Sequence, residues 1–240
     1  MKVSVIIPKR KEEDIQHIID AVEHSTFRKG YEYTAEIIIV NIGQERSIQR
    51  NEGIALATGK YLLILDSDQM VSQKLIGECV YLMEMYPYLG GIYIPEIIMT
   101  KGLFAYIRNW ERQFYNETPI DVVRFVRTEN CPKFDEEQKG TEDSDWERHI
   151  KGLKITSNNP LYHYDNITLI DYFRKKAYYS KSMKKFAERN PDDKILDWKW
   201  RCFIVFFEQG KWKRFLSRPD LALTVLFLIF IRGVIYLIRR

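Results

Sequence analysis

Two acidic clusters carry the chemistry that this sequence of 240 residues suggests. The first is Asp66-Ser67-Asp68, which follows the apolar run Tyr61–Leu65. Side chains alternate along a strand, so two carboxylates two positions apart share a face wherever strand geometry persists. Like charges held that close repel unless a cation lies beside them, which points to a divalent metal. The same triplet is also ordinary turn chemistry at a strand end. The second cluster is Thr141-Glu142-Asp143-Ser144-Asp145. Ser144 with Glu147 three residues on reads as a capping box, so a helix is expected to start there and run to about Gly152. That leaves Glu142 and Asp143 just before a helix, where a carboxylate can take a proton from a hydroxyl nucleophile. An acidic helix start favoured by the macrodipole is the plainer alternative.

These residues need elements to position them. Val3–Ile7 is an apolar run ended by Pro8, as expected of a strand buried on both faces. A basic loop, Lys9-Arg10-Lys11, precedes Ile15, Ile18, Ile19 and Val22 at helical spacing. Glu36–Val40 predicts a second strand with Asn41 at its end, and Arg46 opens a polar helix closed by Gly59. Strands of near-continuous apolar character separated by helices predict an α/β fold with a parallel, doubly covered sheet, whose carboxyl edge binds ligands. Further on, Ser72 is a candidate cap for a helix carrying Leu75, Cys79, Leu82 and Met83. Ile92–Ile98 reads as a strand interrupted at Pro95, Leu103–Tyr115 as a helix, and Asp121–Arg127 and Leu153–Thr156 as strands. His163 follows in an aromatic, non-helical setting.

The formal charge of +4 does not call for nucleic acid, and no nucleic-acid motif is present. Three widely spaced cysteines suggest neither a zinc site nor a disulfide framework, so a reducing compartment is expected. Met1–Pro8 runs directly into a strand, which is not the pattern of a signal peptide.

Val3–Pro8, Gln49-Arg50-Asn51-Glu52-Gly53, Ala57-Thr58-Gly59-Lys60-Tyr61 leading into Asp66-Ser67-Asp68, and Thr141-Glu142-Asp143 stand in an order that resembles family 2 glycosyltransferases of the GT-A fold. The resemblance covers about residues 1–165. It implies an inverting transferase in which Asp68 ligates Mg²⁺ or Mn²⁺ and Asp66 holds the donor ribose or the metal's water shell. The metal would neutralise the diphosphate leaving group. By the same resemblance Asp143 is the general base, Glu142 supports it, and His163 is a further metal ligand. Pro8, Asn41, Arg50 and Asn51 lie where the family's chain passes a UDP- or GDP-sugar, and Arg50 is placed to pair with a phosphate. An exposed helix arginine is the alternative for Arg50. Asn41 stands where the family usually has an aspartate, and three cations replace the usual first-loop residues.

The remainder has another character. Thr168 with Asp171 predicts a capped helix to about Ala187, rich in Lys and Tyr, and Trp198, Trp200, Phe203, Phe206, Phe207 and Trp212 follow. Tryptophan among basic residues suits a membrane interface. Leu221–Ile238 is almost wholly apolar, slightly short for a span, and contains Arg232, which is expensive at mid-bilayer. Spanning, lying in the interface and packing on a partner remain three readings. The expected organisation is a catalytic region 1–165, an interfacial helical region 166–217 and a membrane helix 218–240. The expected activity is sugar transfer at the cytoplasmic membrane face to a glycan or lipid-linked acceptor. Alternatives are transfer to a soluble or protein acceptor, and a non-catalytic partner that binds nucleotide sugar.

Overall fold

The computed structural model describes residues 1–240 apart from 11, 44, 165–167 and 240, so Lys11 of the basic loop and Arg240 lie outside the described residues. The chain divides into two units. The first comprises Met1–Met99, Val122–Glu136 and Glu142–Tyr164; the second comprises Thr100–Asp121, Glu137–Thr141 and Asp165–Arg240. The division departs from the one expected from sequence. Thr100–Asp121 leaves the middle of the catalytic segment for the second unit, and the regions 166–217 and 218–240 form one unit because they share one apolar core.

In chain order the elements are β1 (Lys2–Pro8), α1 (Gln16–Glu23), β2 (Thr34–Val40), α2 (Arg46–Leu56), β3 (Tyr61–Ile64), β4 (Gln69–Val71) and α3 (Leu75–Met85). Then come β5 (Leu89–Tyr93), β6 (Glu96–Ile98), α4 (Leu103–Arg112), which belongs to the second unit, β7 (Val123–Arg127), α5 (Glu142–Arg148), β8 (Leu153–Thr156) and β9 (Leu161–His163). The main sheet has the order β2-β1-β3-β7-β5-β8. β1 runs parallel to β2 and β3, and β7 is antiparallel to both of its neighbours, so the sheet is mostly parallel and not wholly so. Strand alternation divides the apolar residues between two cores. Val3, Val5 and Ile7 with Tyr61 and Leu63 meet Ile18, Val22, Cys79 and Met83 on one face, while Ile6, Leu62 and Ile64 meet Trp146 and Ile150 on the other.

Several local expectations are corrected. Pro95 splits the anticipated Ile92–Ile98 strand: β5 belongs to the main sheet and β6 to a second sheet of order β4-β9-β6. Ser72 does not cap α3; its hydroxyl is buried without a partner, and its carbonyl accepts from Leu75 N at 3.0 Å. Gly59 does not close α2, which ends at Leu56. It is required because a Cβ there would stand 2.7 Å from the backbone nitrogen of Ser4. α5 begins at Glu142, so Ser144 lies inside the helix instead of capping it, and the helix ends at Arg148.

The second unit also contains α6 (Leu169–Tyr179), α7 (Met183–Arg189), α8 (Trp198–Cys202), α9 (Trp212–Ser217) and α10 (Pro219–Arg239). Thr168 caps α6 by accepting from Asp171 N, as its spacing predicts, although a 3-10 turn over Ser180–Ser182 separates α6 from α7. The core is aromatic: Trp110, Phe114, Phe206 and Phe215 have neighbouring ring centroids 4.8–5.8 Å apart, distances at which ring pairs add to simple area burial. Leu221, Ala222, Val225 and Leu228 place one face of α10 on that core, while Leu223, Phe227, Phe230 and Leu237 on the helix are exposed.

Candidate active site

The site of the first unit is built around a residue expected to face either solvent or phosphate. Arg50 is fully buried. α2 packs against β1 so closely that a Cβ on Gly53 would lie 2.3 Å from Ile6, and this approach carries Arg50, one turn earlier, in to the sheet. Its guanidinium donates to Asp143 and, at 2.8 Å, to Asp66, with Glu142 at 3.7 Å. Burial opposes its charge, and the carboxylates of Asp143, Asp66 and Glu142 more than restore it. Arg50 is therefore a buried counter-ion that joins the two acidic clusters.

Asn51 is also occupied internally. Its amide donates to Phe134 O at 3.0 Å and to Glu136 Oε1 at 2.8 Å, and its carbonyl accepts from Phe134 N at 2.8 Å. Both side chains thus make hydrogen bonds inside the protein, while Arg50 Nε is buried without a partner. Pro8 and Asn41 lie at the adjoining carboxyl ends of β1 and β2, where Pro8 stands opposite Val40 and Asn41 is exposed. The following loop is held by Gln49, which donates to Lys9 O at 3.1 Å.

Asp66 and Asp68 do not form a pair. The chain turns after Leu65, with Gln69 N donating to Asp66 O at 3.0 Å, so the alternation needed to put both on one face is lost. Asp66 faces cations: besides Arg50, Arg46 lies at 3.8 Å and Arg124 at 3.9 Å. Burial would raise its pKa, but Arg50, Arg124 and Arg46 hold the carboxyl far below the usual range. Asp68 instead meets His163, whose Nε2 lies 3.1 Å from Asp68 Oδ2. β9 supplies this histidine by pairing Gln69 with His163 on one side and Ile98 with His163 on the other. The loop leading into β9 is clamped by Glu78, whose carboxylate accepts from Ser157, Asn158 and Asn159 at 2.6–3.1 Å.

Glu142 and Asp143 stand in the first turn of α5 instead of in a preceding loop. Glu142 is 5% exposed, and burial, followed by the charge of Asp143, pushes its pKa up. The Asp143 side chain is 30% exposed and has one face on Arg50, so it is both oriented and reachable.

Two functional residues escaped the sequence reading. Glu96 accepts from Arg124 at 2.6 Å and lies 3.4 Å from His163 Nδ1, so ion pairs run from Asp143 through Arg50, Asp66 and Arg124 to Glu96, which meets the His163 ring beside Asp68. The signal was a charged residue inside each of two short apolar strands, Glu96 before Ile97 and Arg124 between Val123 and Phe125. Asp68 Oδ1 and His163 Nδ1 are buried without hydrogen-bond partners, and an orphaned carboxylate oxygen beside imidazole suits Mn²⁺ or Mg²⁺. Among the described residues no group of three or more His, Cys, Asp and Glu side chains surrounds one point. A cation here would take its remaining ligands from donor phosphates and water, as Mg²⁺ commonly does.

The sheet, its site at the carboxyl ends of β1–β3 and the acidic helix start define a GT-A-like fold. The family model described as glycosyl transferase family 2 matches residues 32–134. The match takes in Arg50, Asp66, Asp68, Glu96 and Arg124 of the first unit. Among solved structures, TarS of S. aureus superposes with a TM-score of 0.51 at 14% identity, covering 98% of this chain and 54% of that one. The complex of TarS 1–349 with UDP-GlcNAc gives 0.51 at 15% identity, covering 92% of this chain and 80% of that one. The complex of TarS 1–349 with UDP gives 0.51 at 14%, covering 88% and 78% respectively. The chain thus spans about half of the longer TarS chain. No curated protein matches it in sequence.

Proposed function

We propose that this chain transfers a sugar from a nucleotide-sugar donor, a UDP- or GDP-sugar, to an acceptor hydroxyl or phosphate, with inversion, at the cytoplasmic face of a membrane. The observation that carries the reading is the joining of Asp143 and Asp66 by Arg50, which puts a reachable base beside the strand end that leads to Asp68 and His163. Asp143 takes the proton from the acceptor as its oxygen attacks the anomeric carbon. Arg50 fixes the orientation of that carboxylate, and Glu142 supports it from the buried side. Asp68 and His163 are the residues to hold Mg²⁺ or Mn²⁺, which supplies charge neutralisation at the diphosphate leaving group. Asp66 and Arg124 keep that end of the site in register. The complexes of TarS with UDP and UDP-GlcNAc support the choice of donor class.

The membrane part of the proposal is supported by α10, which has a mean hydropathy of 2.5 over Pro219–Ile238 and one exposed apolar face. Arg232 is paired at 2.6 Å with Glu111 of α4, so α10 is anchored sideways to its own unit. This favours a helix lying in the interface over one that spans.

Incubation with UDP- and GDP-sugars, Mn²⁺ and a membrane extract is expected to give transfer that depends on the metal. Asp143→Asn should lower turnover by about 10²–10⁴-fold while nucleotide-sugar binding persists. Donor binding without turnover on any extract would favour the non-catalytic partner instead. Sedimentation with vesicles tests the anchor: Phe227→Glu/Phe230→Glu should release the chain, and unchanged recovery would remove the membrane from the proposal.

A further inference from the structure

The second unit contains a buried charge cluster with no part in the sugar-transfer reading. Glu111 is fully buried and accepts from Tyr115 at 2.5 Å, from Arg232 at 2.6 Å and from Arg108. Its charge is thus answered twice, yet more cations gather at the same place. Arg108 lies 4.8 Å and Lys176 5.5 Å from the ring centroid of Tyr172. Arg201 on α8 is exposed and lies near enough for its charge and that of Arg232 to repel.

Neither Lys176 nor Arg201 has a carboxylate within ion-pairing distance among the described residues. Burial, and then repulsion from Arg108, Arg232 and Arg201, drives the Lys176 pKa well below its ordinary value, though the side chain is only half-buried. Three basic side chains, Arg108, Arg232 and the partly buried Lys176, stand about one buried carboxylate, with the exposed Arg201 nearby, so positive charge is in excess there. A second feature points to a ligand. The Tyr172 hydroxyl is buried without a hydrogen-bond partner, on a ring that Arg108 and Lys176 face, and an unpaired buried donor is costly. Cations in excess beside an unsatisfied hydroxyl are what a phosphate group would satisfy, with charge-assisted bonds to its oxygens.

We propose that Lys176, Arg201 and the Tyr172 hydroxyl, backed by Arg108 and Arg232, form a phosphate-binding site in the second unit. Its ligand is a phosphate monoester or diester, carried either by a small soluble anion or by a lipid headgroup. The site stands on the second unit alone, whether or not the transfer reading holds.

The test uses the full chain in a zwitterionic detergent and follows the thermal midpoint, because a ligand that binds the folded state raises it by mass action. One arm adds inorganic phosphate or pyrophosphate at matched ionic strength; the other uses phosphatidylcholine vesicles with and without phosphatidic acid. A rise in the first arm assigns a soluble phosphate, and a rise confined to phosphatidic acid assigns a headgroup. Lys176→Gln/Arg201→Gln should leave the ligand-free midpoint equal to or above that of the parent and weaken the response at least about tenfold, since it relieves like-charge crowding while removing ligand contacts. Tyr172→Phe should weaken the response several-fold with the ligand-free midpoint maintained. No rise in either arm, an unchanged response in the double variant, or a fall in its ligand-free midpoint would overturn the site.

Discussion

The two units are electrostatic inverses of each other. In the first, one fully buried arginine, Arg50, is surrounded by Asp66, Glu142 and Asp143; in the second, one fully buried carboxylate, Glu111, is surrounded by Arg108 and Arg232, with Lys176 and Arg201 near. Each central charge is a structural necessity for its neighbours, which outnumber it: three carboxylates about Arg50, and four cations about Glu111. In the proposals above, that excess serves a cation and a proton-accepting role in the first unit, and phosphate in the second.

The comparison breaks first if its centres are not structural. Arg50→Met should cost about 3–5 kcal/mol in urea unfolding, because it leaves carboxylates buried without a counter-ion. A loss within about 0.5 kcal/mol would mean that the carboxylates are solvated and that the first unit has no such centre. Glu111→Gln is the mirror experiment, expected to cost roughly 3 kcal/mol. Burial raises the pKa of Glu111, but Arg108 and Arg232 pull it down to about 2 from the ordinary 4.5. A depressed pKa gives stability that is present above 4.5 and lost as pH falls through about 2, so acid unfolding of the parent should steepen in that window and flatten in Glu111→Gln. A smaller effect sharpens the difference in function: Glu96→Gln, which loosens the partner of His163, should weaken Mn²⁺ affinity by about 10–100-fold in titration without unfolding the chain. The smallest is Thr168→Ala, which removes the cap of the helix bearing Tyr172 and Lys176 and should cost about 1 kcal/mol.

How much of this was legible in the sequence depended on whether the information was local. The continuous apolar runs Val3–Ile7 and Tyr61–Leu65 foretold the central strands, and Thr168 with Asp171 foretold a cap that the structure contains. Where a local rule competed with packing, packing prevailed. Gly59 looks like a helix terminator and serves close approach to Ser4; Ser144 looks like a cap and lies inside α5. The acidic clusters were visible as sequence, but their joining was not, because Arg50 and Asp143 are 93 residues apart and nothing local marks a helix arginine as buried. Glu96 and Arg124 were missed for the same reason. Each is an ordinary charged residue until β6 and β7 bring the two within 2.6 Å. The pairing of Arg232 with Glu111, across 121 residues, likewise has no local signal in the apolar run.

The short sheet β4-β9-β6 has a consequence for how this protein can change over time. His163 is paired with Gln69 on one side and Ile98 on the other, while Glu78 clamps the loop just before it. A residue gained or lost between Ser157 and Pro160 would turn the strand over and present Tyr162 or Tyr164 where His163 now stands. The side chains of Ser157, Asn158 and Asn159 all donate to Glu78, so the composition of that tetrapeptide is constrained along with its length. Insertions and deletions are therefore excluded from a surface loop, the kind of segment that ordinarily tolerates them best.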